Sequence, residues 1–161
     1  MEAFNTDNVM VRRMRPDDVQ ACARIMAENA LWKRYNVTPE KALSRFSSAD
    51  PEKDIVFVAE TAGEVTGFCW FIEKGAFNRA GYIQLIGVAP DKQGHGIGEK
   101  MLAAAEEISF ANKREMFLTV SDFNLPAQDF YHRMGYSQIG ALPGFVLPDV
   151  TELIYRKQVP L

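Results

Sequence analysis

The sequence predicts a mixed α/β (α+β) fold, and two observations carry this prediction. Residues 55–60 and 65–72 are rich in β-branched and aromatic side chains and flank a polar turn, which is typical of an antiparallel hairpin. Residues 82–88 and 115–120 read as two further strands with an apolar helix between them, which is the pattern of a parallel crossover. Antiparallel and parallel pairs in one chain indicate a mixed sheet.

The first part of the chain is predicted as strand, helix, connector and helix. Residues 9–14 alternate and end at Arg15-Pro16, so they predict the first strand. A helix over 19–27 follows, with Asp17 or Asp18 as its cap. The aromatic and basic residues 31–36 predict a connector. Thr38-Pro39 then opens a second helix, because threonine is a favoured cap and proline fits the first helical turn.

The second part of the chain is predicted as helix, strand, helix and a final antiparallel pair. Helical spacing gives the first of these helices one apolar face, which consists of Ile97, Met101, Leu102, Ala105 and Ile108. Asn124 caps the next helix and Gly135 stops it. Residues 136–139 and 152–156 complete the sheet, and the loop between them carries exposed apolar side chains.

Length and composition exclude several classes of protein. At 161 residues the chain fits a single domain, 1–161. A net charge of −3 without a dense basic run argues against nucleic-acid binding, and we interpret Arg12, Arg13 and Arg15 as solvated strand-edge charges. No apolar run approaches the ~20 residues of a membrane span. Residues 1–7 lack a signal pattern, so we expect a cytoplasmic protein.

Cysteine and histidine patterns give no metal site. Cys22 and Cys69 have no C-x-x-C neighbour, so we expect two buried thiols rather than a zinc site or a disulfide. His95 and His132 lack partners with metal-ligand spacing. The prediction is a protein without a metal.

The loop Gln93-Gly94-His95-Gly96-Ile97-Gly98 lies where the strand over 82–88 leads into a helix. Its alternate glycines let successive N–H groups converge at the positive end of a helix dipole, which favours an anion by about 0.3–1 kcal/mol per charge. The dinucleotide pattern G-x-G-x-x-G fails because Glu99 stands at the third glycine position, and the P-loop ending Gly-Lys-Ser/Thr is missing. What remains is Q-x-x-G-x-G, or an ordinary glycine-rich turn.

On this loop, and on the segment from Asn124 to Gly135-Tyr136, the chain resembles the GNAT superfamily of acyl-CoA-dependent N-acetyltransferases. The resemblance implies a mixed, mostly antiparallel sheet of six to seven strands. Its central parallel pair is splayed at the cofactor site, and about four helices flank it. It also implies that acetyl-CoA is the cosubstrate. Its pyrophosphate is then held by the residues Gln93, Gly94, His95, Gly96, Ile97 and Gly98.

The resemblance assigns further residues to the cofactor and the reaction. The main chain of Ile86, Gly87 and Val88 pairs with the pantetheine arm, and the Val88 N–H faces the developing oxyanion. A bulge at Gly87 frees such groups, whereas the alternative is a glycine that relieves crowding against a helix. Asn124 and Tyr131 also belong to the cofactor site.

Tyr131 is the implied general acid, since a phenol can protonate a departing thiolate at close range. Its neighbour Phe130 is then expected to face the core. Residues 82–85 hold no carboxylate where many GNAT relatives place a general base. The base is therefore left open between Glu73, Glu152 and water.

The implied reaction moves an acetyl or other short acyl group to a primary amine by direct attack in a ternary complex. The acceptor is a small-molecule or protein amine. Trp32, Tyr35, Phe77 and Phe145 either frame an acceptor pocket or form a homodimer interface. The alternatives are a non-catalytic acyl-CoA-binding or sensing module, and a protein that binds ATP or NAD with the same loop.

Overall fold

The computed structural model describes residues 6–161, and its strands form one seven-stranded sheet. In chain order the strands are β1 (Val9–Arg13), β2 (Asp54–Thr61), β3 (Glu64–Ala76), β4 (Ala80–Val88), β5 (Met116–Ser121), β6 (Ser137–Pro143) and β7 (Thr151–Lys157). Their order across the sheet is β1-β2-β3-β4-β5-β7-β6. The mixed, mostly antiparallel sheet is confirmed. Part of the expected signal-free terminus, residues 1–5, lies outside the described residues.

Five α-helices accompany the sheet within residues 6–161. They are α1 (Val19–Glu28), α2 (Ala30–Arg34), α3 (Pro39–Ser47), α4 (Ile97–Ala111) and α5 (Leu125–Arg133). The interpretation of residues 31–36 as a connector is wrong, because α2 lies there. The Asn29 side chain caps α2 by accepting a hydrogen bond from the Leu31 N–H at 2.9 Å. A helix this short shows no periodicity in the sequence, and the burial of Trp32 holds it in place.

Strand pairing confirms the central parallel pair. β4 and β5 run parallel in register from Gly81↔Met116 to Ile83↔Leu118. β1 pairs with β2, β5 with β7, and β6 with β7, all antiparallel. The register of β6 against β7 shifts between Gln138 and Gly140, so the pairing of these two strands is irregular there. The loop expected from residue 141 begins later, since β6 continues to Pro143.

The chain divides into two compact units. Unit one contains the residues up to Phe71 together with Leu85–Ala105, and unit two contains Ile72–Gln84 and Glu106–Leu161. Strands β3 and β4 and helix α4 each contribute a segment to both. The single domain over residues 1–161 stays a prediction.

Unit one buries the apolar face predicted for the start of α4. Ile97, Met101, Leu102 and Ala105 are all buried there. A β-carbon at Gly67 of β3 would lie 2.9 Å from Met101 Cε and 3.3 Å from Ile97 Cγ2. The absence of a side chain at Gly67 therefore lets the first turn of α4 lie directly against β3.

In unit two, the half-buried acid Glu106 joins three segments of the chain. Glu106 accepts hydrogen bonds from the Tyr136 hydroxyl at 3.0 Å and from Lys157 Nζ at 2.9 Å. Lys157 Nζ also lies 5.6 Å from the ring centroid of Tyr136. These contacts link α4 to β7 and to the residue that precedes β6.

Of the three arginines near the N-terminus, Arg13 and Arg15 are exposed as expected, whereas Arg12 is not. Arg12 is largely buried, and its guanidinium pairs with Asp18 at 2.7 Å and with Glu60 at 2.8 Å. The hydrogen bond from Arg12 holds the pKa of the Asp18 carboxyl below its usual range. The spacing of the arginines could not show these partners, because Glu60 lies on another strand.

Both cysteines are buried free thiols, as predicted. Burial raises the pKa of Cys22 and of Cys69 to about 12, so neither thiol ionises near neutral pH. Among residues 6–161, no helix combines the length and the apolar character that crossing a membrane requires.

Candidate functional site

The loop between β4 and α4 has the backbone geometry that its glycines predict. Gly94 and Gly96 have φ angles of +81° and +78°, and helix α4 begins at Ile97. The Gly96 carbonyl accepts the Lys100 N–H at 3.2 Å, so Gly96 stands at the cap position of the helix. The N–H groups of the first turn have no partner inside the helix and are available to an anion.

The end of β4 is fixed by hydrogen bonds on both sides of one peptide group. Gln93 Nε2 donates to the Val88 carbonyl oxygen at 3.2 Å, and the Ala89 N–H donates to the Thr66 carbonyl oxygen at 2.8 Å. The glutamine of the loop motif therefore ties the loop to the strand that precedes it. The sequence motif gave no signal for this role.

Gly87 is crowded by two aromatic rings. A β-carbon at this position would lie 2.8 Å from Phe68 Cζ and 2.8 Å from Trp32 Cη2. Because Trp32 belongs to α2, the crowding explanation for Gly87 is confirmed. The bulge at Gly87 stays a prediction.

The residues assigned to the pantetheine arm lie past the parallel pairing of β4. That pairing ends at Ile83, whereas β4 continues to Val88. Gly87 is buried, and Ile86 and Val88 are half-buried. β4 thus continues past the residues that pair with β5, and Ile86, Gly87 and Val88 lie in this continuation.

In unit two, Tyr131 is the buried member of the pair at positions 130 and 131. Tyr131 is 5% exposed, and its ring centroid lies 5.8 Å from that of Tyr136 and 6.3 Å from that of Tyr155. Phe130 is only half-buried, so the expectation that it faces the core instead of Tyr131 is wrong. The burial of Tyr155 raises its pKa, and the negative charge of Asp129 adds to this shift.

Asn124 caps α5 as predicted. Its Oδ1 accepts the Ala127 N–H at 3.3 Å, and Gln128 Nε2 donates to the carbonyl oxygens of Ser121 and Asp122 at 3.0 Å each. These bonds fix the link between β5 and α5. The side-chain nitrogen of Asn124 remains able to donate to a ligand.

The two candidate bases lie in different surroundings. Glu73 in β3 pairs with Arg114 at 3.0 Å and is partly exposed. Glu152 in β7 is 6% exposed and stands in register with Ser121 of β5 and Leu142 of β6. Glu73 thus shares an ion pair with an arginine, whereas Glu152 is a buried residue of the sheet.

The four aromatic residues proposed to contact the acceptor differ in their exposure to solvent. Trp32 is 8% exposed and packs on Phe68, with a centroid distance of 5.5 Å, so it is not an exposed interface residue; its place in an acceptor pocket stays a prediction. Tyr35 is half-buried at the end of α2. Phe145 is 66% exposed on the loop before β7, and Phe77 lies against Phe117.

The side chains of His95 and His132 are exposed. The His132 ring centroid lies 5.2 Å from that of Tyr155. Across the described part of the chain, no three or more His, Cys, Asp or Glu side chains are grouped closely enough to hold a metal ion.

The comparison with family models gives one match that covers most of the chain. Residues 20–136 match the model of the acetyltransferase (GNAT) family. The chain belongs to this family. The matched range contains the loop over residues 93–98, Asn124 and Tyr131, so both parts of the sequence resemblance lie inside it.

Curated GNAT relatives have different names and lengths. The chain is 28% identical to a mycothiol acetyltransferase of Streptomyces bingchenggensis, over 94% of this chain and 47% of the relative. It is also 28% identical to the N-alpha-acetyltransferase RimI of Mycobacterium tuberculosis, over 84% and 83%. A 5-NmdU N-acetyltransferase of Pseudomonas phage PaMx11 is 27% identical, over 82% and 89%. The chain spans about half the length of the mycothiol acetyltransferases that it matches.

Solved GNAT structures share the fold at low sequence identity. Ard1 from Thermoplasma volcanium gives a TM-score of 0.77 at 22% identity and covers 96% of this chain and 99% of its own. An aminoglycoside 6′-N-acetyltransferase complexed with coenzyme A gives a TM-score of 0.78 at 13% identity, over 94% and 98%. These similarities confirm the predicted GNAT fold.

Proposed function

We propose that this protein is an N-acetyltransferase that moves an acetyl or other short acyl group from acetyl-CoA to a primary amine. The observation that carries the proposal is the loop before α4. Gly94 and Gly96 hold positive φ angles directly before the first turn of a fifteen-residue helix, inside a segment that matches the GNAT model. Family membership and the names of the relatives support the same class of reaction.

The residues of unit one fit the proposed cosubstrate. An N–H cradle at a helix N-terminus suits a pyrophosphate, and Gly94 has no atom within 4 Å of a β-carbon built on it, which leaves open space at the loop. We assign the pyrophosphate to residues 93–98 and the pantetheine arm to the main chain of Ile86, Gly87 and Val88. Asn124 and Tyr131 complete the proposed cofactor contacts.

Acetyl-CoA supplies an activated thioester, and the chain supplies hydrogen-bond donors and a proton. The Val88 N–H donates to the carbonyl oxygen as negative charge develops on it; such a donor is typically worth ~10²–10³ in rate. The Tyr131 hydroxyl gives its proton to the departing thiolate sulfur. The proton that the attacking amine loses passes to Glu73 or to Glu152, directly or through water, or to water alone.

The acceptor is proposed only as a primary amine on a small molecule or a protein. Relatives named for a nucleoside-type substrate and for an N-alpha-acetyl transfer are about equally similar to this chain. Trp32, Tyr35 and Phe145 are the candidate acceptor contacts, and Phe145 is equally a candidate homodimer contact. A cytoplasmic location stays a prediction.

Calorimetric titration of the purified chain with acetyl-CoA tests the proposal. We expect binding in the micromolar range that is lost in Gly96→Glu, whereas ATP and NAD bind weakly or not at all. Gly63→Glu is the matched control, since Gly63 has a φ of +79° on the β2–β3 turn and carries the same backbone strain outside the loop. The assignment of the pyrophosphate to residues 93–98 is contradicted if the folded protein does not bind acetyl-CoA. It is also contradicted if Gly96→Glu and Gly63→Glu lose acetyl-CoA binding equally.

Catalysis is tested separately from binding. A panel of primary amines is incubated with acetyl-CoA, and free thiol is measured. We expect thiol release that depends on one class of amine. Tight acetyl-CoA binding without turnover of any amine would instead favour the non-catalytic binding or sensing module.

A further inference from the structure

Unit two contains an open cavity of about 360 Å³ that the proposed reaction does not use. Its walls come from the β3–β4 turn, from the connection between α4 and β5 and from the start of β5, and they include Phe77, Arg79, Lys113, Arg114, Glu115 and Phe117. The volume lies at the small end of the range of about 300–1,000 Å³ that ligand pockets occupy. Two segments that are distant in sequence therefore form one small pocket.

One wall of this cavity is an aromatic ring in a strained position. Phe77 has a φ of +55° and a side chain that is 76% exposed, and Asn78 beside it has a φ of +56°. The left-handed region is unusual for a bulky residue, and hairpin turns of this type normally use asparagine or glycine there. The Phe77 ring meets the edge of Phe117 at a centroid distance of 5.6 Å, which leaves most of its surface open. Backbone strain in a folded protein often accompanies a binding role.

The cavity also carries two cations whose charge is not neutralised. The side chains of Arg79 and Lys113 make no ion pair or hydrogen bond within residues 6–161. Both acids at this place are already bound. Glu115 accepts two hydrogen bonds of 2.8 Å from Arg156, and Glu73 pairs with Arg114 at 3.0 Å. The pocket thus has surplus positive charge beside an open aromatic face.

We propose that this cavity binds a small anion with a planar ring and a phosphate, of the nucleoside monophosphate class. The base stacks on Phe77, and the phosphate lies between Arg79 and Lys113. Stacking on an aromatic side chain and charge-assisted hydrogen bonds to arginine and lysine are the two contacts that such a ligand uses. The small volume favours a mononucleotide over a dinucleotide. This site is independent of the acetyl-transfer proposal.

Calorimetry on the whole chain tests this site with AMP, adenosine and inorganic phosphate as probes. The titrations are made with and without saturating coenzyme A, because coenzyme A itself carries an adenosine and a phosphate. We expect AMP to bind in both conditions and to bind more tightly than either part alone. Arg79→Gln combined with Lys113→Gln is expected to weaken AMP binding about tenfold or more. Phe77→Ala is expected to weaken AMP about tenfold and to leave inorganic phosphate unchanged.

The control is a double variant that removes the same two positive charges at positions outside the cavity. Arg24→Gln combined with Lys33→Gln removes two exposed cations from unit one. If this variant weakens AMP binding as much as the cavity variant, the effect is one of net charge and the site is wrong. Absence of AMP binding at millimolar concentration, or its displacement by coenzyme A, also overturns the proposal. Acetyl-CoA titration of the same samples reports separately on the loop over residues 93–98.

Discussion

The two compact units differ in the kind of group that they offer to a ligand. In unit one the proposed contacts come from the main chain, at Gly94, Gly96 and the end of β4. In unit two they come from side chains, namely Tyr131, Arg79 and Lys113. Main-chain contacts depend on φ angles and on missing β-carbons, whereas side-chain contacts depend on which elements meet. The two units should therefore respond differently to substitution.

The largest expected effect belongs to a side chain of unit two. Tyr131→Phe keeps the buried ring and removes only the proposed acid, so we expect kcat to fall about 10²–10³-fold. The KM for acetyl-CoA should change little. The measurement is single-turnover thiol release with an amine that the wild-type protein acetylates.

Tyr136→Phe is the matched control for this prediction. It also removes one phenol hydroxyl, but that hydroxyl donates to Glu106 at 3.0 Å and has a structural role. We expect this variant to lose stability and to keep its rate of acetyl transfer. Unchanged single-turnover rates in Tyr131→Phe would remove Tyr131 from the reaction.

The next effect tests how much unit one depends on a missing side chain. Gly87→Ala places a β-carbon 2.8 Å from Phe68 and Trp32, and we expect a loss of about 1–3 kcal/mol in the free energy of unfolding. Urea denaturation measures it. Gly140→Ala is the control, because its β-carbon would meet Ile154 Cδ1 at an ordinary 3.4 Å. Equal stability of the two variants would mean that the rings over Gly87 move aside freely.

A smaller effect concerns the loop over residues 93–98 (the anion loop), where the cost of the φ angle can be separated from the cost of steric crowding. Gly94→Ala meets no atom within 4 Å, so any change comes from its φ of +81°. The left-handed region is unfavourable by roughly 1–2 kcal/mol for an alanine, and we expect acetyl-CoA affinity to fall about tenfold. Gly63→Ala has the same φ problem and should lower stability alone. An unchanged affinity in Gly94→Ala would show that the main chain at this position does not shape the site.

The smallest expected effect comes from the strained backbone of Lys113 in unit two. Lys113 follows α4 with a φ of +55°, where glycine is the usual residue. Lys113→Gly should raise the free energy of unfolding by about 0.5–1 kcal/mol relative to Lys113→Ala, since both lack the lysine and only glycine relieves the strain. Thermal unfolding of the two variants measures the difference. A less stable glycine variant would mean that Lys113 is not strained.

Local sequence signals predicted much of this molecule. The hairpin over β2 and β3, the crossover from β4 to β5 and the Asn124 cap follow from periodicity and capping chemistry, which act between residues close in sequence. The anion loop was also predictable, because glycine spacing directly controls φ. The family resemblance on these residues was then confirmed by the match over residues 20–136.

Other features depend on partners that are far apart in the chain. Helix α2 carries the buried Trp32, and Gly87 is required because Trp32 and Phe68 cover it. Arg12 was expected to be solvated but meets Glu60 across strands, and Tyr131 rather than Phe130 is buried. No local pattern carries such information, because packing between distant segments decides it.

By itself, the sequence determined the family, the order of most elements and the position of the anion loop. Each of these rests on interactions within a few residues, such as helix capping, strand alternation and the φ freedom of glycine. The tertiary structure alone decided which aromatic residues are buried, which acids are paired and that Phe77, Arg79 and Lys113 line one cavity. Those outcomes depend on contacts across the sheet and between elements, which exist only once the chain has folded.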